Sequence, residues 1–223
     1  IPKPTMREFD AFPSYPPVKR VANRTIHNKI AASYRDKEFY DGDRMNGYGG
    51  MVDDGRWGPI AENLIKVYDL QKGDSVLQIG CHKGFLLHAL LQRGMKVCGT
   101  EISEYALSQS PWEVQPFLKR SPFTKLPFPS HDFELVLCVS PVYGLILQDA
   151  IKCLREIGRV GRGKSFITLG AYETVEDFFL IQKWFILGNL VLTRAEWIVV
   201  LQHAGYRGDF RYDTAQSLGL KSE

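Results

Sequence analysis

An α/β fold with a mostly parallel sheet and helices on both faces is the class this sequence predicts. Three observations predict it. From residue 75 onward, apolar strand-like runs alternate with helical runs. The stretch Val76-Leu77-Gln78-Ile79-Gly80-Cys81-His82-Lys83-Gly84-Phe85-Leu86-Leu87 reads as a buried strand, a glycine turn and the start of a helix. A second strand then ends on a carboxylate, Glu101, 21 residues after Gly80. In open α/β sheets such a turn and such an acid hold a nucleotide-like ligand, the glycines admitting close approach and the acid taking ribose hydroxyls.

The elements follow in order. Residues 1–20 hold Pro2, Pro4, Pro13, Pro16 and Pro17, which prevent a regular helix and suggest an extended arm. A helix is expected around 24–39. Five glycines between Asp41 and Trp57 mark a loop with special backbone angles. Ile60, Leu64, Ile65 and Tyr68 then fall at helical spacing. Strands are expected at 75–79, 95–100, 114–118, 133–139 and 164–170, and helices at 84–92, 103–109 and 148–159. A hydrophobic stretch runs from Phe178 to Leu192. Thr193 with Glu196 forms a capping box for the next helix, and Gly205 stops it.

The chain's 223 residues suffice for one large domain with an arm. The expected division is 1–57 as arm and glycine-rich lid, and 58–223 as the sheet domain. A net charge of +3 gives no case for nucleic acid. No run of about eighteen apolar residues exists, so no membrane span is expected. Cys81, Cys98, Cys138 and Cys153 form no CxxC pair, and three lie in or beside apolar runs, which suggests a reducing compartment such as the cytoplasm. His27, His88, His131 and His203 have no metal-ligand spacing, so no metal site is expected. The chain begins at Ile1 rather than Met, so a removed targeting peptide fits as well as none.

A dinucleotide fingerprint would put its second and third glycines where His82 and Phe85 stand. The spacing instead resembles motif I of the class I S-adenosylmethionine-dependent methyltransferases. Gly80 and Gly84 match its first and third glycines, His82 replaces the middle one, and Gln78 stands where the family usually has an acid. Leu126-Pro127-Phe128, followed by His131-Asp132-Phe133, resembles the family's entry to the fourth strand. Residues 201–206 resemble its last helix, leading to an antiparallel strand. The resemblance runs from about 34 to 210. It implies a Rossmann-like class I methyltransferase fold with a mostly parallel seven-stranded sheet, S-adenosylmethionine as cofactor, and O- or N-methylation of a small molecule, such as a natural product.

By that resemblance, Glu101 binds both ribose hydroxyls; a helix N-cap role is its alternative. Gly80, Cys81, His82, Gly84 and Gln78 line the cofactor, Ile102 and Phe123 form apolar walls, and Pro122 offers only backbone to adenine. The loop ahead of Trp57 folds over the cofactor, with Tyr48 and Trp57 covering it and Arg56 pairing with its carboxylate. Ser140 and Tyr143 stand where relatives often carry Asn and His. Tyr143 is the catalytic candidate: it would position a substrate hydroxyl or accept its proton, or simply form the pocket floor. Residues 178–192 would line an apolar pocket, pack in the core, or meet a second copy. The N-terminal arm is the other surface for a homodimer or assembly partner. The departures at Gln78, His82, Pro122 and 140–143 leave two alternatives open: a non-catalytic scaffold, or a cofactor-binding enzyme of another reaction.

Overall fold

A computed structural model describes residues 6–12 and 24–220. The expected arm therefore lies outside the described residues over 1–5 and 13–20.

The elements are β1 (Arg7–Glu8), α1 (Ile26–Ser33), α2 (Lys37–Asp41), α3 (Trp57–Val67), β2 (Ser75–Ile79), α4 (Phe85–Gln92), β3 (Lys96–Glu101) and α5 (Glu104–Ser108). There follow β4 (Leu118–Arg120), β5 (Phe133–Cys138), α6 (Leu147–Val160), β6 (Gly161–Tyr172), α7 (Val175–Trp184), β7 (Leu192–Thr193), α8 (Arg194–Ala204) and β8 (Asp209–Asp213). Seven strands lie in the order β1-β8-β6-β5-β2-β3-β4, and β7 pairs with the end of β6. Every pairing among the described residues is parallel.

Parallel strands buried on both faces need apolar residues at nearly every position. Leu77, Ile79, Val136, Ile167 and Leu169 face one side, packed under Leu154 and Ile157 of α6 and Trp197 and Leu201 of α8. Val76, Leu135, Leu137 and Phe166 face the other, covered by Ile60 and Leu64 of α3 and Leu86 and Leu90 of α4. The sheet changes direction beside β2: the chain builds outward to β3 and β4, then crosses to β5 on the other side. That switch opens a crevice at the carboxyl ends of β2 and β5, where α/β sheets bind ligands.

Four expectations change. The helix over 24–39 is two helices, because Arg35 adopts left-handed backbone (φ 50°) and Asp36 restarts the chain as an N-cap accepting from the Glu38 N–H at 2.9 Å. The strand over 114–118 is a 3₁₀ turn, Gln115–Phe117, before β4; Pro116 has no N–H for a ladder. The last strand is parallel rather than antiparallel. The eleven residues of α8 carry the chain back to the sheet's starting edge, so β8 enters from the same end as β6. Finally, residues 6–12 are built into the sheet domain rather than forming an arm. β1 pairs with β8, Ala11 and Phe12 are buried, and the Phe12 ring stacks on Phe166 at 5.3 Å. The segment between Pro4 and Pro13 is free of proline and rich in apolar residues, which permits both.

Candidate functional site

The turn after β2 is made by three left-handed residues: Gly80 (φ 68°), His82 (φ 52°) and Gly84 (φ 70°). A side chain on Gly80 would collide with the Pro141 ring, so close packing of the β2 and β5 ends demands glycine there. His82 keeps the glycine's conformation despite its Cβ. Its backbone N–H thereby reaches Glu101 Oε2 at 3.0 Å. Glu101 Oε1 accepts from the N–H groups of Ile102 (2.7 Å) and Ser103 (3.0 Å). The carboxylate is 1% exposed and is fixed between the turn and the end of β3. Capping of α5 falls to Ser103, whose Oγ accepts from the Ala106 N–H at 3.0 Å.

The glycine-rich segment lies across this carboxylate. Tyr40, fully buried, brings its hydroxyl to His82 Nδ1 at 3.2 Å, and the Tyr48 hydroxyl meets Nε2 at 3.3 Å. Burial holds the His82 imidazole below its ordinary pKa; Glu101 opposes this and Arg35 adds to it. A neutral ring can donate from one nitrogen and accept at the other, which suits two hydroxyls.

A buried ion pair fastens the same segment lower down. Lys83 Nζ donates to both oxygens of Asp41 at 2.6 and 2.7 Å, and to the Met51 carbonyl at 2.9 Å. Tyr105 donates its hydroxyl to Asp41 Oδ2 at 2.7 Å. Burial alone would raise the Asp41 carboxyl, but the bonds from Lys83 and Tyr105 take it below its ordinary value. Sequence reasoning missed Tyr40, Asp41, Lys83 and Tyr105. Asp41, at the mouth of the glycine loop, and Lys83, inside the turn, were the only available signals.

The structure brings Tyr48, His82, Gly80, Gly84, Glu101 and Ile102 together. It sends others elsewhere. Arg56 donates from Nε to Asp54 at 2.7 and 2.8 Å on the surface. The Cys81 side chain is buried, and burial pushes its thiol well up. Phe123 packs in the core with Leu126 and Phe128 rather than forming a pocket wall. Pro122 is exposed, and its carbonyl accepts from the Ser121 hydroxyl at 3.2 Å. Gln78 and Trp57 each hold a buried polar atom without a partner, Oε1 and Nε1 respectively. Gln78 shares strand parity with Val76, so it lies on the face covered by α4 and by α3, the helix that Trp57 opens.

At the end of β5, Ser140 is left-handed (φ 82°), and its N–H reaches Thr168 Oγ1 at 2.9 Å. The Tyr143 ring stacks on Phe185 with centroids 4.3 Å apart. Burial pushes its hydroxyl well above the ordinary tyrosine pKa, and nearby Asp213 adds to this, against a bond with Ser140. Asp213, buried at the end of β8, accepts from Arg211 at 3.0 and 3.2 Å. Within the stretch 178–192, Ile181 is wholly buried, while Phe179 is 59% exposed. Among the described residues no group of three His, Cys, Asp or Glu is placed to hold a metal, and no helix is long and apolar enough to cross a membrane.

Residues 77–169 match the methyltransferase domain family. No curated protein matches the chain. Among solved structures it is similar to the YcgJ protein of Bacillus subtilis (18% identity, TM-score 0.55, 65% of this chain and 66% of that one). It is also similar to a candidate methyltransferase of Bacillus halodurans (17% identity, TM-score 0.54, 65% and 68%). A third is a chain of the Haloferax volcanii complex between the Trm112 methyltransferase activator and a candidate methyltransferase (19% identity, TM-score 0.55, 82% and 77%). The chain thus spans about two thirds of the length of the first two.

Proposed function

We propose that the chain is a class I, S-adenosylmethionine-dependent methyltransferase that methylates an oxygen or nitrogen of a small molecule, as in natural-product biosynthesis; the methyltransferase-domain match over residues 77–169 supports the reading. The observation that carries the reading is Glu101. Its Oε1 is fixed by two backbone N–H groups and its Oε2 by one, which leaves Oε2 an acceptor position suited to a ribose hydroxyl.

Two buried atoms without a partner are the candidates for the other end of the cofactor. Gln78 Oε1 is a buried acceptor and Trp57 Nε1 a buried donor, on one face of the sheet. The amino-acid tail of S-adenosylmethionine offers an ammonium to the first and a carboxylate to the second, and a buried polar atom left unmade costs about 1–3 kcal/mol. Trp57 thereby takes over the role expected of Arg56.

When bound, the cofactor supplies a sulfonium-activated methyl group. The chain's own residues align and enclose. Tyr40, Tyr48 and His82 cover the site and exclude water. Tyr143 orients the acceptor through its hydroxyl; with its pKa raised by burial it does not serve as the base. Alignment supplies most of the rate, since the methyl donor is already activated. The four unpaired thiols suit a reducing compartment such as the cytoplasm.

Titration calorimetry with S-adenosylmethionine and with its demethylated product tests the reading. Binding heat is expected, and Glu101→Ala should weaken it at least about tenfold, the worth of lost charged hydrogen bonds. Absence of heat from folded protein would leave the non-catalytic scaffold. An unchanged affinity in Glu101→Ala would remove the ribose assignment.

A further inference from the structure

Three arginines stand around the lid, and none has a carboxylate within salt-bridge distance among the described residues: Arg24, Arg35 and Arg44. Their contacts are carbonyls and aromatic rings. Arg24 donates to the carbonyls of Trp184 (2.8 Å), Arg44 (3.2 Å) and Gly47 (3.4 Å), and its Nε is buried with no partner. Arg44 donates to the Gly47 carbonyl and stands 5.7 Å over the Trp184 ring. Arg35 stands 5.9 Å over the Phe39 ring, and among the described residues no hydrogen bond engages its guanidinium. One of its nitrogens lies 3.9 Å from where a Cβ on Gly144 would stand.

Arg24 and Arg44 meet at the Gly47 carbonyl, and Arg35 stands over Phe39, whose ring packs on Tyr48. Arg35 and Arg44 both act electrostatically on the Tyr48 hydroxyl, and burial, with Arg44 adding to it, brings the Arg24 pKa down to about 10. Arg35 reaches from Ser103, whose Oγ bonds its carbonyl at 2.5 Å, to the turn that bears Tyr143. Of the acids nearby, Asp41 is bound by Lys83, Glu101 by three backbone N–H groups, and Asp36 and Asp43 accept from the N–H groups of Glu38 and Met45. The segment 13–23 contributes no Asp or Glu. Adding a sulfonium would raise the positive charge further, and partly buried cations without counter-ions are costly.

We propose that Arg35, with Arg44 and the buried Nε of Arg24, forms an anion site at the mouth of the lid, and that the methyl acceptor is a small molecule carrying a phosphate or carboxylate. This rests on the methyltransferase reading, because it assigns the anion to the acceptor. Guanidinium groups suit both anions through planar paired donors. The acceptor's charge offsets the arginines and the sulfonium together, so its affinity rises when the cofactor is present.

The test is titration calorimetry of the full chain, saturated with the demethylated cofactor, against inorganic pyrophosphate and, separately, citrate. Sodium chloride at matched ionic strength is the control. Saturable binding of either anion beyond the salt control is expected, and the stronger arm tells phosphate from carboxylate. Arg35→Gln should weaken it about tenfold, from loss of a charged hydrogen bond. Arg35→Lys should lose less than Arg35→Gln. Arg24 is left intact because its carbonyl bonds hold the lid, and circular dichroism checks that each variant is folded. Titrating the demethylated cofactor into Arg35→Gln separates the two readings, with unchanged affinity expected. No saturable anion binding, or equal binding in Arg35→Gln, would overturn the proposal. A matching loss of cofactor affinity would place Arg35 on the cofactor instead and overturn it too.

Discussion

His82 occupies a position whose backbone angle glycine tolerates best, and it is kept there by its ring. Left-handed strain of this kind costs on the order of 1 kcal/mol. His82→Gly should therefore leave the melting temperature nearly unchanged while amide exchange in 42–51 quickens, because Tyr40 and Tyr48 lose their partner. A melting temperature several degrees lower would mean the ring contacts outweigh the strain. Asp41→Asn leaves Lys83, only 7% exposed in its side chain, without a counter-charge. The expected loss is about 2–3 kcal/mol by denaturant unfolding, less than for a fully enclosed pair because Asp41 retains 24% exposure. The folded-state pKa of Asp41 is depressed. Its contribution is therefore complete above the ordinary carboxylate value and disappears as pH falls through the lowered one. The unfolding free energy of the wild type should drop across that acid range, and that of Asp41→Asn should drop less. Glu101 and the two turn glycines were legible because their spacing lies within one strand-turn-strand unit. Asp41 and Lys83 were not, since 42 residues separate them and only the fold makes them a pair.

Elements with local signals matched their expectations. The box at the start of α8 forms as its sequence implies, with the Glu196 N–H on Thr193 Oγ1 at 3.2 Å and the Thr193 N–H on Glu196 Oε2 at 2.8 Å. Gly205 ends that helix in left-handed backbone (φ 73°). Thr193→Ala should cost about 1 kcal/mol, read as a shift in the urea midpoint at unchanged slope. A null shift would mean the helix is held by Trp197 and Leu201 alone. The elements that differed were those decided by distant partners. The break at Arg35 has no glycine or proline to announce it. It is set by tertiary bonds, among them Ser103 Oγ on the Arg35 carbonyl. The direction of β8 likewise depends on where α8 delivers the chain, which no local pattern encodes.

Across the whole molecule, the parallel sheet with helices on both faces followed from the alternation of strands and crossover helices. The place of residues 6–12 did not, because a two-residue strand carries no periodicity. Its anchoring is substantial. Phe12 fills the second core against Phe166, and Phe12→Ala should cost about 3–5 kcal/mol, measured by chemical denaturation. A loss under 1 kcal/mol would show that the segment merely rests on the sheet. β1 is also the outermost strand beside β8, and Arg7 clasps Asp209 through two bonds, 2.9 and 2.7 Å. Short, charged strands of this kind discourage edge-to-edge pairing between molecules. Proteolytic removal of the first twelve residues would bare the β8 ladder, with Phe210 and Tyr212 along it. The clipped protein should then self-associate in a concentration-dependent way, its bared margin becoming a seed for aggregation.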